Sequence, residues 1–311
     1  MIDFVGKKSW FFRVSGIIII VGIISLIVSQ IQLGSPLRSG VDFVGGTSMT
    51  LQFIPSGSVE QSQLRQEMAN LGYERASIRY ARPDFIVHLK GTVSAEEGKK
   101  LAQELGENLG CEVKMSNPYS ASPTVGAETA RSAGIAIIIA AIAMLIYIAW
   151  AFRRMPKPFR WGICAIIALI HDVFIIVGIF SILGWLAGIE VDAMFITGLL
   201  AVVGYSINNT VVIFDRIREN VSKHISPDFA VTVNSSIVET LGRSLNTALT
   251  TLFVILALFL FGGATIHYFV LVLLLGVIIG TYSSLCISSQ LLVVWEKGEW
   301  GTLLPFAKKP T

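Results

Sequence analysis

The sequence predicts a helical membrane protein with six transmembrane helices and one small α+β domain between the first two. Of its 311 residues, 53% are hydrophobic and only 14% are charged, with a mean hydropathy of +0.68, whereas soluble domains are about 25% charged. The apolar residues form blocks of about 20 residues, the length that crosses a hydrocarbon core of about 30 Å. Lysine and arginine are concentrated in alternate connections between these blocks.

The first apolar block, Val14–Val28, follows three basic residues and so begins like a signal peptide. It is long for that role, and Ser29–Gln32 makes a poor small-residue cleavage site, so a retained helix is expected. Five later blocks are also long enough to span a membrane. They are Ser132–Phe152, Trp161–Trp185, Val191–Phe214, Leu245–Phe261 and Tyr268–Val294.

The positions of the positive charges predict the orientation, because Lys and Arg accumulate on the cytoplasmic side of membrane proteins. Basic residues lie before the first span, in the second–third and fourth–fifth connections, and after the last span. They are Lys7, Lys8, Arg13, Arg153, Arg154, Lys157, Arg160, Arg216, Arg218, Lys223, Lys297, Lys308 and Lys309. Ala187–Asp192 and Gly262–His267 contain no Lys or Arg. Both termini are therefore expected in the cytoplasm.

The predicted organisation has four parts: a cytoplasmic N-terminus with the first span (1–33), an extracytoplasmic domain (34–131, hereafter the outer domain), a five-helix bundle (132–294) and a cytoplasmic tail (295–311). Sequence patterns in the outer domain predict β-α-β-β-α-β. The segments are Ser48–Ile54, Val59–Leu71, Ala76–Tyr80, Asp84–Lys90, Ser94–Leu109 and Cys111–Met115. Ser94 and Glu97 form a capping-box pattern at the second helix. This order is the ferredoxin-like arrangement, which by itself names no function.

The sequence gives little support for an enzyme, a cofactor or a metal. The four histidines are scattered, and Gly45-Gly46 lacks the third glycine and following helix of a nucleotide-binding motif. The three cysteines are isolated, which argues against a disulfide framework and a metal site. The net charge is only +3, and no basic stripe with interleaved aromatic residues predicts binding to nucleic acid.

Polar side chains inside the spans are the candidate functional groups. His171 and Asp172 lie about 16 Å into the third span, where an ionisable group costs roughly 3 kcal/mol and usually marks an ion or proton path. Asn208 and Asn209 in the fourth span lie at a depth similar to that of Arg243, just before the fifth. The alternatives are a structural ion pair for the first two, interhelical hydrogen bonds for the asparagines and an interfacial cation for Arg243.

The segment Asp215–Asn220 (DRIREN) is a second candidate region, at the end of the fourth span. Its charged residues are Asp215, Arg216, Arg218 and Glu219. Such a segment is usually a solvated helix end, and the alternative is a salt-bridge lock between helices at the membrane surface. Gly276 and Gly280 in the sixth span form a G-x-x-x-G pattern that permits close helix approach. Packing is their expected role, although sliding helices would need them too.

These motifs together resemble the SecF family, the smaller half of the SecDF protein-export factor in the RND superfamily. The matching stretches are GVDFVGGT (Gly40–Thr47), SPTVGAE (Ser122–Glu128), ALIHDV (Ala168–Val173), VVGYSINNTVVIFDRIREN (Val202–Asn220), TLGRSLNTALTTL (Thr240–Leu252) and FGG (Phe261–Gly263). They cover nearly the whole chain in order. The glycines of these motifs that we single out are Gly45, Gly46, Gly126 and Gly204.

The resemblance implies a proton-coupled motor subunit of the bacterial plasma membrane, built as one RND-like half, rather than an enzyme. The implied partners are a SecD-like subunit with a larger outer domain, the SecYEG translocon, the preprotein substrate and membrane lipids. YidC and YajC are further candidate partners. Proton movement into the cytoplasm would be coupled to motion of the outer domain, which pulls the preprotein outward.

Position 209 departs from the family pattern. In the family a proton-relay aspartate follows G-Y-S-(L/I)-N, and an arginine further along the chain is its partner. Arg243 matches the arginine, but position 209 is Asn, which cannot bind or release a proton. We favour an engineered substitution that mimics the neutral acid. A natural Asn209 would instead make Asp172 and His171 the candidates for proton coupling.

Two other functions stay open at this stage. One is a half-size RND-type exporter of solutes or lipids, which would use the same proton coupling. The other is a passive scaffold that stabilises a translocon partner. A solute-sized pocket lined by the outer domain would favour the exporter, and indifference to uncouplers would favour the scaffold.

Overall fold

The structure, a computed structural model, describes residues 2–302 except 75, 82, 117, 264 and 265. The helices are α1 (Lys8–Leu33), α2 (Val41–Val44), α3 (Gln61–Asn70), α4 (Ala95–Leu109), α5 (Pro123–Ala151), α6 (Pro158–Ala187), α7 (Ala193–Ser222), α8 (Phe229–Phe261), α9 (His267–Ser283) and α10 (Ser289–Lys297). The strands are β1 (Gly46–Ile54), β2 (Ser77–Ala81), β3 (Asp84–Leu89), β4 (Glu112–Met115) and β5 (Tyr119–Ala121). Lys308 and Lys309 lie outside the described residues.

Within this described part, six helices are long and apolar enough to cross a membrane, so the prediction of six spans is confirmed. The sixth is His267–Lys297, in which a π-helical turn (Ser284–Ser288) joins α9 to α10. The fifth begins at Phe229, whereas the sequence predicted that it would begin at Leu245. The fourth continues to Ser222, so Asp215–Asn220 is part of the helix.

The spans differ in how much of each is buried. In the most apolar 18-residue stretches of α6, α7 and the sixth span, 56%, 50% and 61% of residues are buried. The corresponding values are 11% for α1, 6% for α5 and 11% for α8. Helices α6 and α7 and the sixth span therefore form the centre of the bundle. The others present apolar faces outward, which in a membrane protein contact lipid or a partner helix.

The outer domain is a sheet in the order β2-β3-β1-β4, in which all neighbours are antiparallel. Along β1, Met49, Leu51 and Phe53 are buried, in alternation with more polar residues, because successive side chains of a strand point to opposite faces. Buried residues of α3 and α4 belong to the same apolar core. This is the ferredoxin-like order, so the predicted fold class is confirmed. The short elements α2 and β5 were not predicted, and β5 pairs with the start of β1.

Backbone hydrogen bonds join the segment after α1 to the connection between α6 and α7. The N–H of Gly40 donates to the carbonyl of Val191 at 2.8 Å, and the N–H of Val191 donates to the carbonyl of Arg38 at 2.8 Å. The carboxylate of Asp42 accepts a hydrogen bond from the N–H of Ala193 at 2.9 Å. The base of the outer domain is thus fixed to the start of α7.

Three of the motif glycines lie at this junction. A Cβ on Gly126 would lie 2.5 Å from two carbonyl oxygens of α2, so glycine allows α5 to start directly against that helix. Gly46 has φ +133 and would place a Cβ 2.4 Å from the carbonyl oxygen of Leu89. Gly45 ends α2 with φ 78, a conformation that glycine adopts without strain. Gly204 is different, because a Cβ there would meet nothing within 4 Å.

Candidate functional site

Asp172 lies at the centre of a polar cluster inside the bundle. Asp172 is 1% exposed, and the adjacent His171 is 7% exposed. The Asp172 Oδ2 atom accepts hydrogen bonds from Ser206 Oγ of α7 at 2.5 Å and from Ser283 Oγ of α9 at 2.7 Å. Its Oδ1 atom lies 2.9 Å from Nδ1 of His171. Three central helices therefore contribute to one carboxylate, which needs such partners at this depth.

Close packing of α9 on α7 brings the two serines to Asp172. A Cβ on Gly280 would lie 3.0 Å from the Cβ of Ser206, and a Cβ on Gly276 would lie 2.0 Å from Cγ2 of Val202. Small residues at such positions let helix backbones approach closely within a membrane. The G-x-x-x-G pattern therefore determines the geometry of the site as well as the packing of the two helices.

We expect Gly276→Ala to destabilise the folded chain by about 1–3 kcal/mol, because the added methyl group overlaps Val202 in a close-packed contact. Thermal unfolding of the detergent-solubilised protein measures this loss. Gly204→Ala is the matched control in a neighbouring span and should be nearly neutral, since nothing lies within 4 Å of its Cβ. Val202→Ala should restore part of the lost stability in the double variant. Equal stabilities for Gly276→Ala and Gly204→Ala would contradict this packing account.

Of the two adjacent asparagines, only Asn209 faces the interior. It is 3% exposed, and its Nδ2 atom donates to Oγ1 of Thr281 at 3.3 Å. Asn208 is exposed. Asn209 therefore lies at the same α7–α9 contact as Ser206 and Ser283, although it makes no hydrogen bond to Asp172 within the described part of the chain.

Arg243 lies apart from these groups. It is an exposed residue of α8, and among the described residues it forms no hydrogen bond or ion pair. It lines a cavity of about 380 Å³ between α7 and α8 together with Asp215 and Glu239. The structure thus brings His171 and Asp172 together, places Asn209 beside them, and leaves Arg243 on the outside of the bundle.

The charged segment Asp215–Asn220 is part of α7, and its side chains contact α8. The Arg216 guanidinium donates to Glu239 of α8 and, at 2.6 Å, to Glu219 on its own helix. Arg218 pairs with Asp215 at 2.6 Å. These side chains are more than one-third exposed, and exposed pairs contribute about 0–1 kcal/mol each. Little free energy is therefore needed to open this contact between α7 and α8.

A second polar cluster, not singled out from the sequence, lies at the base of the outer domain. The carboxylate of Glu190, between α6 and α7, contacts Nδ1 of His88 on β3 and lies 3.5 Å from Nε of Arg38. Burial acts to raise the pKa of Glu190. Hydrogen bonds from His88 and Ser77, with the positive charges of His88 and Arg38, outweigh burial and hold this pKa below its ordinary value.

Comparisons with known proteins place the chain in a family. Residues 101–298 match the family model "Protein export membrane protein SecD/SecF, C-terminal". The protein translocase subunit SecF of Anaerolinea thermophila is 39% identical over 311 residues, which cover 100% of this chain and 99% of that protein.

Solved structures agree with this result. The crystal structure of SecDF from Thermus thermophilus, described as a translocon-associated membrane protein, matches with a TM-score of 0.81 and 31% identity over 95% of this chain. A second SecDF structure, in the super-membrane-facing form, matches with a TM-score of 0.64 and 30% identity over 96% of this chain. This chain spans 39% of each of those SecDF chains. It therefore belongs to the SecF family of protein translocase subunits, as the sequence motifs predicted, and is a multi-pass membrane protein.

Proposed function

We propose that this chain is the SecF-like subunit of an accessory complex that uses the proton-motive force to promote preprotein export through the SecYEG translocon. The observation that supports this function most directly is Asp172, the only buried carboxylate within the described parts of the six spans. It is held by three helices rather than by one. A change of its charge therefore acts on the packing of the whole bundle.

Protonation changes what Asp172 can do chemically. The ionised carboxylate only accepts hydrogen bonds, whereas the neutral acid must donate one. The hydroxyls of Ser206 and Ser283 must then reorganise, so two protonation states favour two helix arrangements. One charge crossing a potential of 100 mV supplies about 2.3 kcal/mol. A hydrogen bond contributes about 0.5–1.5 kcal/mol, so this energy is sufficient to exchange one or two of them.

The remaining parts of the proposal concern surroundings and partners. The family implies the bacterial plasma membrane, and the positive charges favour both termini in the cytoplasm and the outer domain outside. Arg243 pairs with none of the described residues and lies on the sparsely buried helix α8, which favours a carboxylate partner on another subunit. A SecD-like subunit is the partner we propose there. SecYEG, the preprotein, YidC and YajC are the partners that the family implies beyond it.

The test is preprotein export by vesicles that contain this chain and its SecD-like partner, measured with and without a proton gradient. We expect export to be faster with the gradient, Asn209→Asp to raise this stimulation and Arg243→Ala to abolish it, because each alters a charge at the depth of the relay. Arg154→Ala, at an exposed cation in the second–third connection, is the control and should behave like the parent chain. Equal stimulation of export by the gradient in the parent chain and in Asn209→Asp would show that position 209 takes no part in proton coupling.

One observation favours the solute exporter as a second candidate. A cavity of about 390 Å³ lies between the outer domain and the bundle, and ligand pockets span about 300–1,000 Å³. Its lining includes Asp42, Arg79, His88, Glu190 and Asp192, a charged surface unlike the mostly apolar lining of such pockets. Gradient-driven solute flux in vesicles that lack a translocon would support the exporter. Export that ignores the gradient would support a passive scaffold.

A further inference from the structure

The sixth span is interrupted by a π-helical turn at the depth of Asp172. The turn comprises Ser284–Ser288, all of its residues are buried, and it contacts α1, α6 and α7. π-Helical turns are rare and occur frequently at functional sites. The sequence SLCIS contains no glycine or proline that would force such a turn. Its cause must therefore lie in hydrogen bonding and in contacts with the neighbouring helices.

Serine hydroxyls stabilise the turn from within. The Oγ atoms of Ser288 and Ser289 both donate to the carbonyl oxygen of Ser284, at 3.0 Å and 2.9 Å. Serine side chains that bond to a backbone carbonyl in this way bend helices and compete with the regular ladder. The extra residue of a π-helical turn is thereby accommodated without an unpaired carbonyl at position 284.

Ser283, the residue before the turn, connects it to the carboxylate. Its hydroxyl lies 2.7 Å from Oδ2 of Asp172 and 3.3 Å from the carbonyl oxygen of Gly280. A hydroxyl has one hydrogen and donates it to one acceptor at full strength. The two contacts are therefore alternatives. When Asp172 is ionised, its carboxylate on α6 attracts the hydrogen of the Ser283 hydroxyl. When Asp172 is neutral, the hydroxyl donates to the carbonyl of Gly280 on its own helix, α9.

We propose that Ser283 is a positioning residue that transmits the charge of Asp172 to the π-helical turn. This inference rests on the proposed function, because it assumes that Asp172 takes up a proton. The proton binds Asp172 Oδ2, the Ser283 hydroxyl keeps its own hydrogen and turns to the Gly280 carbonyl, and the backbone pairing of the turn changes. The change is local to the turn, because Leu291, Leu292 and Val293 of α10 are buried in the core of the bundle and hold that helix in place.

The surroundings confine this change to the turn. Above the turn, Oη of Tyr282 lies 3.1 Å from Oγ of Ser15 and donates to the carbonyl of Phe11 at 3.2 Å, which fixes α9 to α1. Below the turn, Glu296 pairs with Arg160 at 3.0 Å and Lys297 pairs with Asp228 at 3.0 Å, which hold the end of α10.

Gln290, the second residue of α10, gives the changed pairing of the turn a driving force. It is fully buried, and its Oε1 atom has no hydrogen-bond partner among the described residues. An unpaired buried acceptor is costly, so a pairing of the turn that offers this oxygen a donor is favoured.

The turn contains its own reporter, the buried thiol of Cys286. The chain has three cysteines, so Cys111→Ala and Cys164→Ala leave Cys286 as its only thiol. In membranes that contain the SecD-like partner, the rate of Cys286 alkylation by N-ethylmaleimide and backbone hydrogen exchange of residues 283–289 are measured at one pH. We expect Asp172→Asn, which mimics the neutral acid, to change both by about tenfold, as for a shifted two-state equilibrium.

The position-283 variants decide whether Ser283 carries this effect. Ser283→Ala should make both readouts insensitive to Asp172→Asn, and Ser283→Thr, which keeps the hydroxyl, should preserve the sensitivity. Ser181→Ala is the matched control, because Ser181 is a buried serine of α6 that donates to the carbonyl of Pro36. An unchanged turn in Asp172→Asn, or an effect that survives in Ser283→Ala, overturns the inference. Absence of gradient-stimulated export in the parent chain, with a turn that still responds to Asp172→Asn, would instead refute the proposed function alone.

Discussion

Asp172→Asn is expected to fold and assemble, yet to export preprotein at one rate whether or not a proton gradient is imposed. The carboxamide oxygen can still accept a hydrogen bond from Ser206, and the Ser283 hydroxyl keeps the Gly280 carbonyl as its acceptor, so the free energy of unfolding should shift by no more than about 1 kcal/mol. The carboxamide cannot bind a proton, and the gradient then has no group in this cluster on which to act. Initial export rates with and without the gradient, together with thermal unfolding, measure the two effects separately.

Two further variants establish that this result reports proton binding. Asp172→Ala leaves the Ser206 hydroxyl without the acceptor it has in the parent chain and should cost about 1–3 kcal/mol, so its loss of export would be a folding defect. Asp215→Asn alters an exposed carboxylate that pairs with Arg218 and should keep the gradient stimulation. Full stimulation in a well-folded Asp172→Asn protein would exclude Asp172 as the coupling group.

The spans and the order of the outer domain could be predicted because hydropathy, strand alternation and charge bias are local properties of the chain. The start of α8 could not, because Phe229–Ser244 is too polar to resemble a span. Its hydroxyls form hydrogen bonds within the helix: Ser236 Oγ donates to the carbonyl of Thr232 and Thr240 Oγ1 to that of Ser236, both at 2.8 Å. Buried polar residues satisfied by their own helix leave no hydrophobic signal.

The site could be predicted only where a side chain has a high free-energy cost of burial in the membrane. An acid in mid-span is expensive, and this singled out Asp172 with His171. Ser206 and Ser283 carry no such cost, and only the contact between α6, α7 and α9 distinguishes them from other serines. Depth alone suggested that Arg243 and Asn209 belong together. Successive helical residues differ by about 100° in direction, so depth does not decide which face a side chain occupies.

The second large effect is expected at Glu190. Glu190→Ala leaves His88 and Arg38 without their shared carboxylate. Breaking a buried pair costs about 3–5 kcal/mol, and the lower end applies because the Arg38 side chain is 38% exposed. Hydrogen exchange in β3 and in residues 189–192 should increase in the full chain. The control is Glu112→Ala, which removes an exposed contact to Lys114 at 3.7 Å and should cost almost nothing.

The pH dependence of this contact has a definite sign. Because the folded protein holds the pKa of Glu190 below its ordinary value of 4.5, ionised Glu190 stabilises the docked outer domain at every pH above that value. This contribution is lost as the pH falls through the lowered pKa. Protection factors at the base of the outer domain, which are exchange rates corrected for the intrinsic effect of pH, should therefore be constant from neutral pH down to about pH 4.5 and fall below it. Glu190→Gln should remove that fall. A loss of protection already between pH 7 and 5 would exclude Glu190 as the group that controls the contact, because its lowered pKa lies below that range.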